Sequence, residues 1–142
     1  MDQQTLQRLE AVLDSEIQLA EELATTLATE QAALTGLVPA AVVEQAAIKT
    51  ALVGRIESLD SERRSLWDPE GMESSANISL RWQSLMAVVA RCRTANDVNG
   101  YIINTRRGQV SQLIDAVRGT APATYGPGGK TLARALRALA RA

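Results

Sequence analysis

A heptad seam runs from Ile78 to Val117, apolar at its start and end and polar in its middle. One column reads Ile78, Leu85, Cys92, Asn99, Arg106 and Leu113; the other reads Trp82, Val89, Asn96, Ile103, Val110 and Val117. Alternating steps of four and three put both columns on one stripe of a long helix, the spacing of coiled-coil packing. The stripe predicts a helix from Ile78 to Arg118, about 60 Å long at ~1.5 Å per residue. Asn96, Asn99 and Arg106 break the apolar run and limit which partners the seam fits. Gly100 and Gly108 lie within the helix and predict a kink or a close helix approach.

Upstream, Leu6, Leu13, Ala20, Leu27 and Leu34 form a strict column of seven, widened by Leu9, Ile17, Leu23 and Ala24. They predict a first helix from Gln3 to Leu34. Gly36 suits the left-handed position after it, and Pro39 suits the first turn of the next helix. The short reversal predicts a second, antiparallel helix from Ala40 to Trp67. Its buried face is read as Ile48, Leu52, Ile56, Leu59 and Leu66, and its wet side as Glu57, Asp60, Glu62, Arg63 and Arg64. Asp68-Pro69-Glu70-Gly71 breaks this helix, and Ser75 or Asn77 is available to cap the third. Gly119 ends the third helix. Residues 120–129, rich in Gly and Pro, read as a connector to a short amphipathic helix with Leu132, Leu136 and Leu139 on one side. The expected fold is all-α: an antiparallel three-helix, coiled-coil-like bundle over residues 1–119, then a flexible connector and short helix over 120–142.

Composition supports helices, with aromatics limited to Trp67, Trp82, Tyr101 and Tyr125 and no strand-like alternation. The two tryptophans flank the second break and are expected to pack together. The net charge of −1 conceals a division: residues 1–80 carry five Lys/Arg and fourteen Asp/Glu, whereas residues 81–142 carry ten and two. An acidic hairpin beside a basic helix accounts for this with the two fields cancelling. A nucleic-acid surface is the sharper alternative, but no aromatic platforms alternate with the basic residues and no binding motif is present. No uncharged apolar run approaches the ~18 residues of a membrane span, and Met1-Asp2-Gln3-Gln4 has no signal-peptide pattern. A cytoplasmic location is expected.

Candidate chemistry is sparse. The chain has no histidine, the commonest general base and metal ligand. Cys92 is the single cysteine and falls on the apolar seam, where it reads as a small buried thiol. Gly129-Lys130-Thr131 suggests a phosphate loop, but that motif needs a glycine where Thr124 stands. Neither enzymatic activity nor a cofactor or metal is expected. Asn96, Asn99 and Arg106 mark seam specificity; the two asparagines either fix register or hydrogen-bond a partner. The third helix, about 41 residues against about 28 for the second, outlasts it. Ile103, Val110, Leu113, Ile114 and Val117 are therefore the expected face for a partner helix. Tyr125 sits in the Gly/Pro-rich segment, as a partner anchor or a fold-back contact.

Two long helices separated by a break, then Asn96-x-x-Asn99-Gly100, an apolar segment and Tyr125-Gly126-Pro127-Gly128-Gly129, make a layout that resembles FlgN-type flagellar export chaperones over nearly the whole chain. Its distinguishing residues lie between Asn96 and Thr131; Gly108 and the alanine-rich last helix depart from it. The resemblance implies a cytoplasmic chaperone of the flagellar type III export system that consumes no ATP. Such proteins bind the C-terminal helices of hook–filament junction proteins, prevent their self-association and deliver them to the export gate. It also implies client contact through the C-terminal part and gate docking by Tyr125 and Gly126. The protein is expected to be a monomer or weak homo-oligomer without membrane insertion. The last helix, too short to be stable alone, is expected to cover the apolar end of the third helix until a client displaces it. A self-associating coiled-coil adaptor is the competing class.

Overall fold

The computed structural model describes residues 2–70 and 75–119. Three helices account for the fold: α1 (Gln3–Gly36), α2 (Pro39–Leu66) and α3 (Ala76–Arg118). Each start is set locally. The Asp2 carboxylate accepts from the Thr5 N–H at 2.7 Å, Pro39 opens α2, and the Ser75 hydroxyl accepts from the Ile78 N–H at 3.4 Å. At the second break Asp68 turns its carboxylate onto the Glu70 N–H, and Gly119 closes α3 in the left-handed region at φ 71°.

The helices run up, down, up. α1 packs closely along both α2 and α3, while α2 and α3 meet chiefly through side chains. Residue n of α1 lies beside residue n+72 of α3: Ala20 O accepts from Cys92 Sγ, Leu27 O from Asn99, and Leu34 O from Arg106. This register stacks the two leading columns layer on layer, Leu6 with Ile78 and Leu13 with Leu85, followed by the three pairs just named. Against α2, α1 pairs residues whose numbers add to 79, as Glu16 with Arg63 and Glu30 with Lys49. The core lies between these two seams, with Leu9, Leu13, Leu23, Leu27, Ile78 and Leu85 wholly buried.

Several expectations change. Arg63, read as solvent-facing, is fully buried, and Ile48, read as core, is 40% exposed. Arg63 lies over the Trp67 and Trp82 rings, 5.3 and 4.9 Å from their centroids, and the rings themselves are 4.8 Å apart. Its guanidinium also reaches two carboxylates, Asp60 and, at 3.1 Å, the fully buried Glu16. Asp60 accepts hydrogen bonds from Arg63 and Arg64, whereas neither Glu16 oxygen has one in good geometry. Burial therefore dominates Glu16 and pushes its carboxyl up to about 7. Arg63 opposes that rise and Asp60 adds to it.

The first turn also differs. Helix α1 continues through Gly36, and the left-handed position falls on Leu37, at φ 56° and ψ 52°. A non-glycine residue there costs roughly 1–2 kcal/mol. At Gly108 an added Cβ would meet nothing within 4 Å among the described residues, so neither α1 nor α2 approaches it closely.

Candidate functional site

The polar middle of the seam has a structural explanation in two of its three residues. Asn99 Nδ2 donates to Leu27 O and to Glu30 Oε1, each at 2.9 Å. Glu30 is itself buried and accepts from Lys49 Nζ at 2.9 and 3.1 Å. One carboxylate thus ties all three helices together, with its buried charge compensated by an ammonium and an amide. Arg106 caps α1: its guanidinium donates to Leu34 O and, at 3.5 Å, to Thr35 O. The last carbonyls of a helix have no partner within it and carry its negative dipole end, so a cation there is doubly favourable. Asn99 and Arg106 therefore fix the α1–α3 register. Asn96, the third, is buried in the same seam.

Past Arg106 the seam continues without a partner helix among the described residues. The next layer would place Leu113 beside position 41 of an extended α1, but the chain has left α1 after Gly36 and Ala41 belongs to α2. About ten residues of α3, roughly 15 Å, project past the end of α1. On that projection Leu113 is 68% and Val117 80% exposed, with Val110 and Ile114 also exposed; Ile103, one layer earlier, is half-buried. By the same offsets α2 begins level with position 112 of α3, so the last turns of α3 outrun the second helix as well as the first. Leu37, Val38 and Val43, at the α1–α2 turn, are exposed at the same end. At the opposite end Leu80 is the exposed large hydrophobic among the described residues. This concentration of exposed apolar side chains makes that end the candidate interaction surface. Tyr125, Gly126 and the proposed last helix lie outside the described residues.

The charge division takes visible form along α1. Arg81 reaches Asp14 at 2.9 Å and Arg91 reaches Glu21 at 2.8 Å, so part of the basic field of α3 is matched by acids of α1. Two open grooves, of about 340 Å³ between α1 and α2 and about 460 Å³ between α1 and α3, bring together no nucleophile and base. Cys92 is buried, and burial pushes its thiol up to about 11. Among the described residues no group of side chains is placed to hold a metal, and no helix is long and apolar enough to cross a membrane.

Sequence reasoning missed Glu16, Glu30, Lys49 and Arg63, although a signal was present. Leu9, Glu16, Leu23 and Glu30 form a column of seven on α1, and Lys49, Ile56 and Arg63 form its counterpart on α2. Acids and bases with matched fourteen-residue spacing, each pair separated by an apolar residue, are the mark of a charged seam. Leu37 and Val38 were missed because turn residues carry no periodicity.

No curated protein and no solved structure matches the chain significantly. The family described as FlgN protein matches residues 1–133 of the 142. With that match over a helical bundle whose third helix leaves an apolar seam open, the chain belongs to the FlgN family of flagellar export chaperones.

Proposed function

We propose that this protein works in the cytoplasm, binds the C-terminal helices of flagellar hook–filament junction proteins, keeps them from associating prematurely and delivers them to the type III export gate. The observation that carries this reading is the open seam of α3, with Val110, Leu113, Ile114 and Val117 exposed past the end of α1. A client helix laid on that stripe supplies the layers that α1 does not reach, a helix-in-groove mode of recognition. Each of the four side chains contributes roughly 1.5–3 kcal/mol on full burial, before the costs of association. Docking at the gate falls to Tyr125 and Gly126, supported by the family resemblance.

Titration of a junction-protein C-terminal segment onto the full chain tests the client site. Leu113→Asp or Val117→Asp weakens binding by about tenfold or more, since ~1.4 kcal/mol is tenfold and an aspartate forfeits at least that in a buried layer. Helicity and melting stay within about 0.5 kcal/mol because both side chains are exposed in the free protein. Unchanged affinity in these folded variants places the client site elsewhere.

A further inference from the structure

The open end of α3 has two unlike edges. At ~100° per residue, Val110, Leu113 and Val117 form the centre of the stripe and Arg107 and Arg118 lie together beyond Ile114 along one side. The other side carries Thr105, Gln109 and Gln112 and no charge. Arg107 and Arg118 are exposed; Asp115, one turn before Arg118, is the one acid at this end of α3 and lies on that flank, and the acids of α1 that match Arg81 and Arg91 do not extend to this level, since no acidic residue occurs from Gln31 to Val43. The base of the stripe is the α1–α2 turn, held there by the Arg106 contacts to Leu34 and Thr35. In that turn Leu37 is held left-handed and 72% exposed, although a glycine stands one position earlier. Local folding favours glycine at such a position, so an exposed leucine there is better explained by what it contacts from outside.

Resting on the client reading above, we infer that this end is a corner selective for an amphipathic helix with one acidic edge. Its apolar face lies along Val110, Leu113 and Val117, acidic residues about three turns apart meet Arg107 and Arg118, and its terminus abuts Leu37. Charge disfavours the other occupants. A second copy laid antiparallel on the stripe sets the basic edge against itself, and residues 120–142 carry four Lys/Arg and no acidic residue.

The test uses the full chain at low ionic strength and two fluorescent helix-forming peptides of about 21 residues, leucine at every seam position. One carries Glu and the other Lys at two positions eleven apart on one edge, matching Arg107 and Arg118. The Glu peptide binds about fivefold or more tighter, and Arg107→Glu with Arg118→Glu reverses the preference. Leu37→Gly weakens both peptides about threefold or more while melting at or above the wild-type temperature, a combination that a purely structural role for Leu37 does not produce. Equal binding of the two peptides, or an unchanged affinity in Leu37→Gly, overturns the corner. So does self-association abolished by Leu113→Asp, which makes a second copy the occupant. An affinity raised alike for both peptides by Leu132→Asp with Leu136→Asp also overturns it, by making the chain's own tail the occupant. If Leu113→Asp still loses the junction segment while the corner variants do nothing, the client reading stands and the corner alone fails. If Leu113→Asp does nothing either, both fall.

Discussion

Replacing Glu16 with glutamine tests the buried charge cluster through the pH dependence of stability. Two carboxylates, Asp60 and Glu16, share the fully buried Arg63 guanidinium, and Asp60 also has Arg64. With both ionised the cluster holds more negative charge than Arg63 can offset, and Glu16 is the worse hydrogen-bonded of the two. Its carboxyl is accordingly raised from an ordinary 4.5 to about 7, chiefly by burial. A folded-state value above the unfolded one gives stability that is complete below pH 4.5 and lost as pH rises through about 7. At ~1.36 kcal/mol per unit the contribution is about 3 kcal/mol, a large fraction of the 5–15 kcal/mol typical of a domain. Urea unfolding followed by helical circular dichroism, at intervals from about pH 4.5 to about pH 8, measures it. The wild-type protein loses about 3 kcal/mol more than Glu16→Gln across that range, half of it by about pH 6, midway between the unfolded and folded values. Parallel stability profiles for the two proteins refute the reasoning, because they mean that Glu16 keeps its charge in the folded state as readily as in the unfolded one.

Three further outcomes follow from particular contacts. Arg106→Ala removes the cross-helix cap and costs about 1–2 kcal/mol, read as faster amide exchange in the last turn of α1 than in its middle. Asn99→Ala removes the amide donated to Leu27 O and leaves Glu30 with Lys49 alone, lowering unfolding free energy by about 1–3 kcal/mol in a urea titration. Cys92, buried and with its thiol raised to about 11, reacts with a disulfide reagent in the native protein far more slowly than in denaturant; equal rates contradict the seam packing.

The three helices and the α1–α3 seam were legible because they depend on period alone. The columns from Leu6 and from Ile78 each advance by seven, and a single offset brings them together. The α1–α2 seam was not, because a charge at a heptad position looks the same whether it faces water or an opposite charge on another helix. Arg63 reads as solvent-facing until Glu16 is known to stand opposite, and that requires the register. Leu37 instead of Gly36 in the left-handed position is a similar case: α1 runs on while Arg106, seventy residues away in the chain, satisfies its last carbonyls. Among the expected client residues the exposed four were legible as apolar positions late in a long helix. Comparison of helix lengths points to an end that outruns α2, and the register adds that α1 stops shorter still, level with position 108.

The two seams of α1 act together to fix where the open surface begins. Slipping α2 by one heptad sets Glu16 against Ile56, Glu30 against Val42 and Leu9 against Arg63, leaving buried charges without partners at several kcal/mol each. The Glu16–Arg63 and Glu30–Lys49 pairs therefore hold α2 in one register and with it the level at which the α1–α2 turn can form. On the other side, Asn99 and Arg106 hold α3 in one register by bonding backbone groups of α1, which a slipped helix does not offer at those positions. The last internal layer is then Leu34 with Arg106, and the first apolar layer past it is Leu113, which no residue of α1 reaches. An entirely apolar seam would pack more strongly but tolerate slips of seven residues, each moving that boundary by about 10 Å. The polar steps give up some packing energy in exchange for a defined place where a partner helix can continue the bundle.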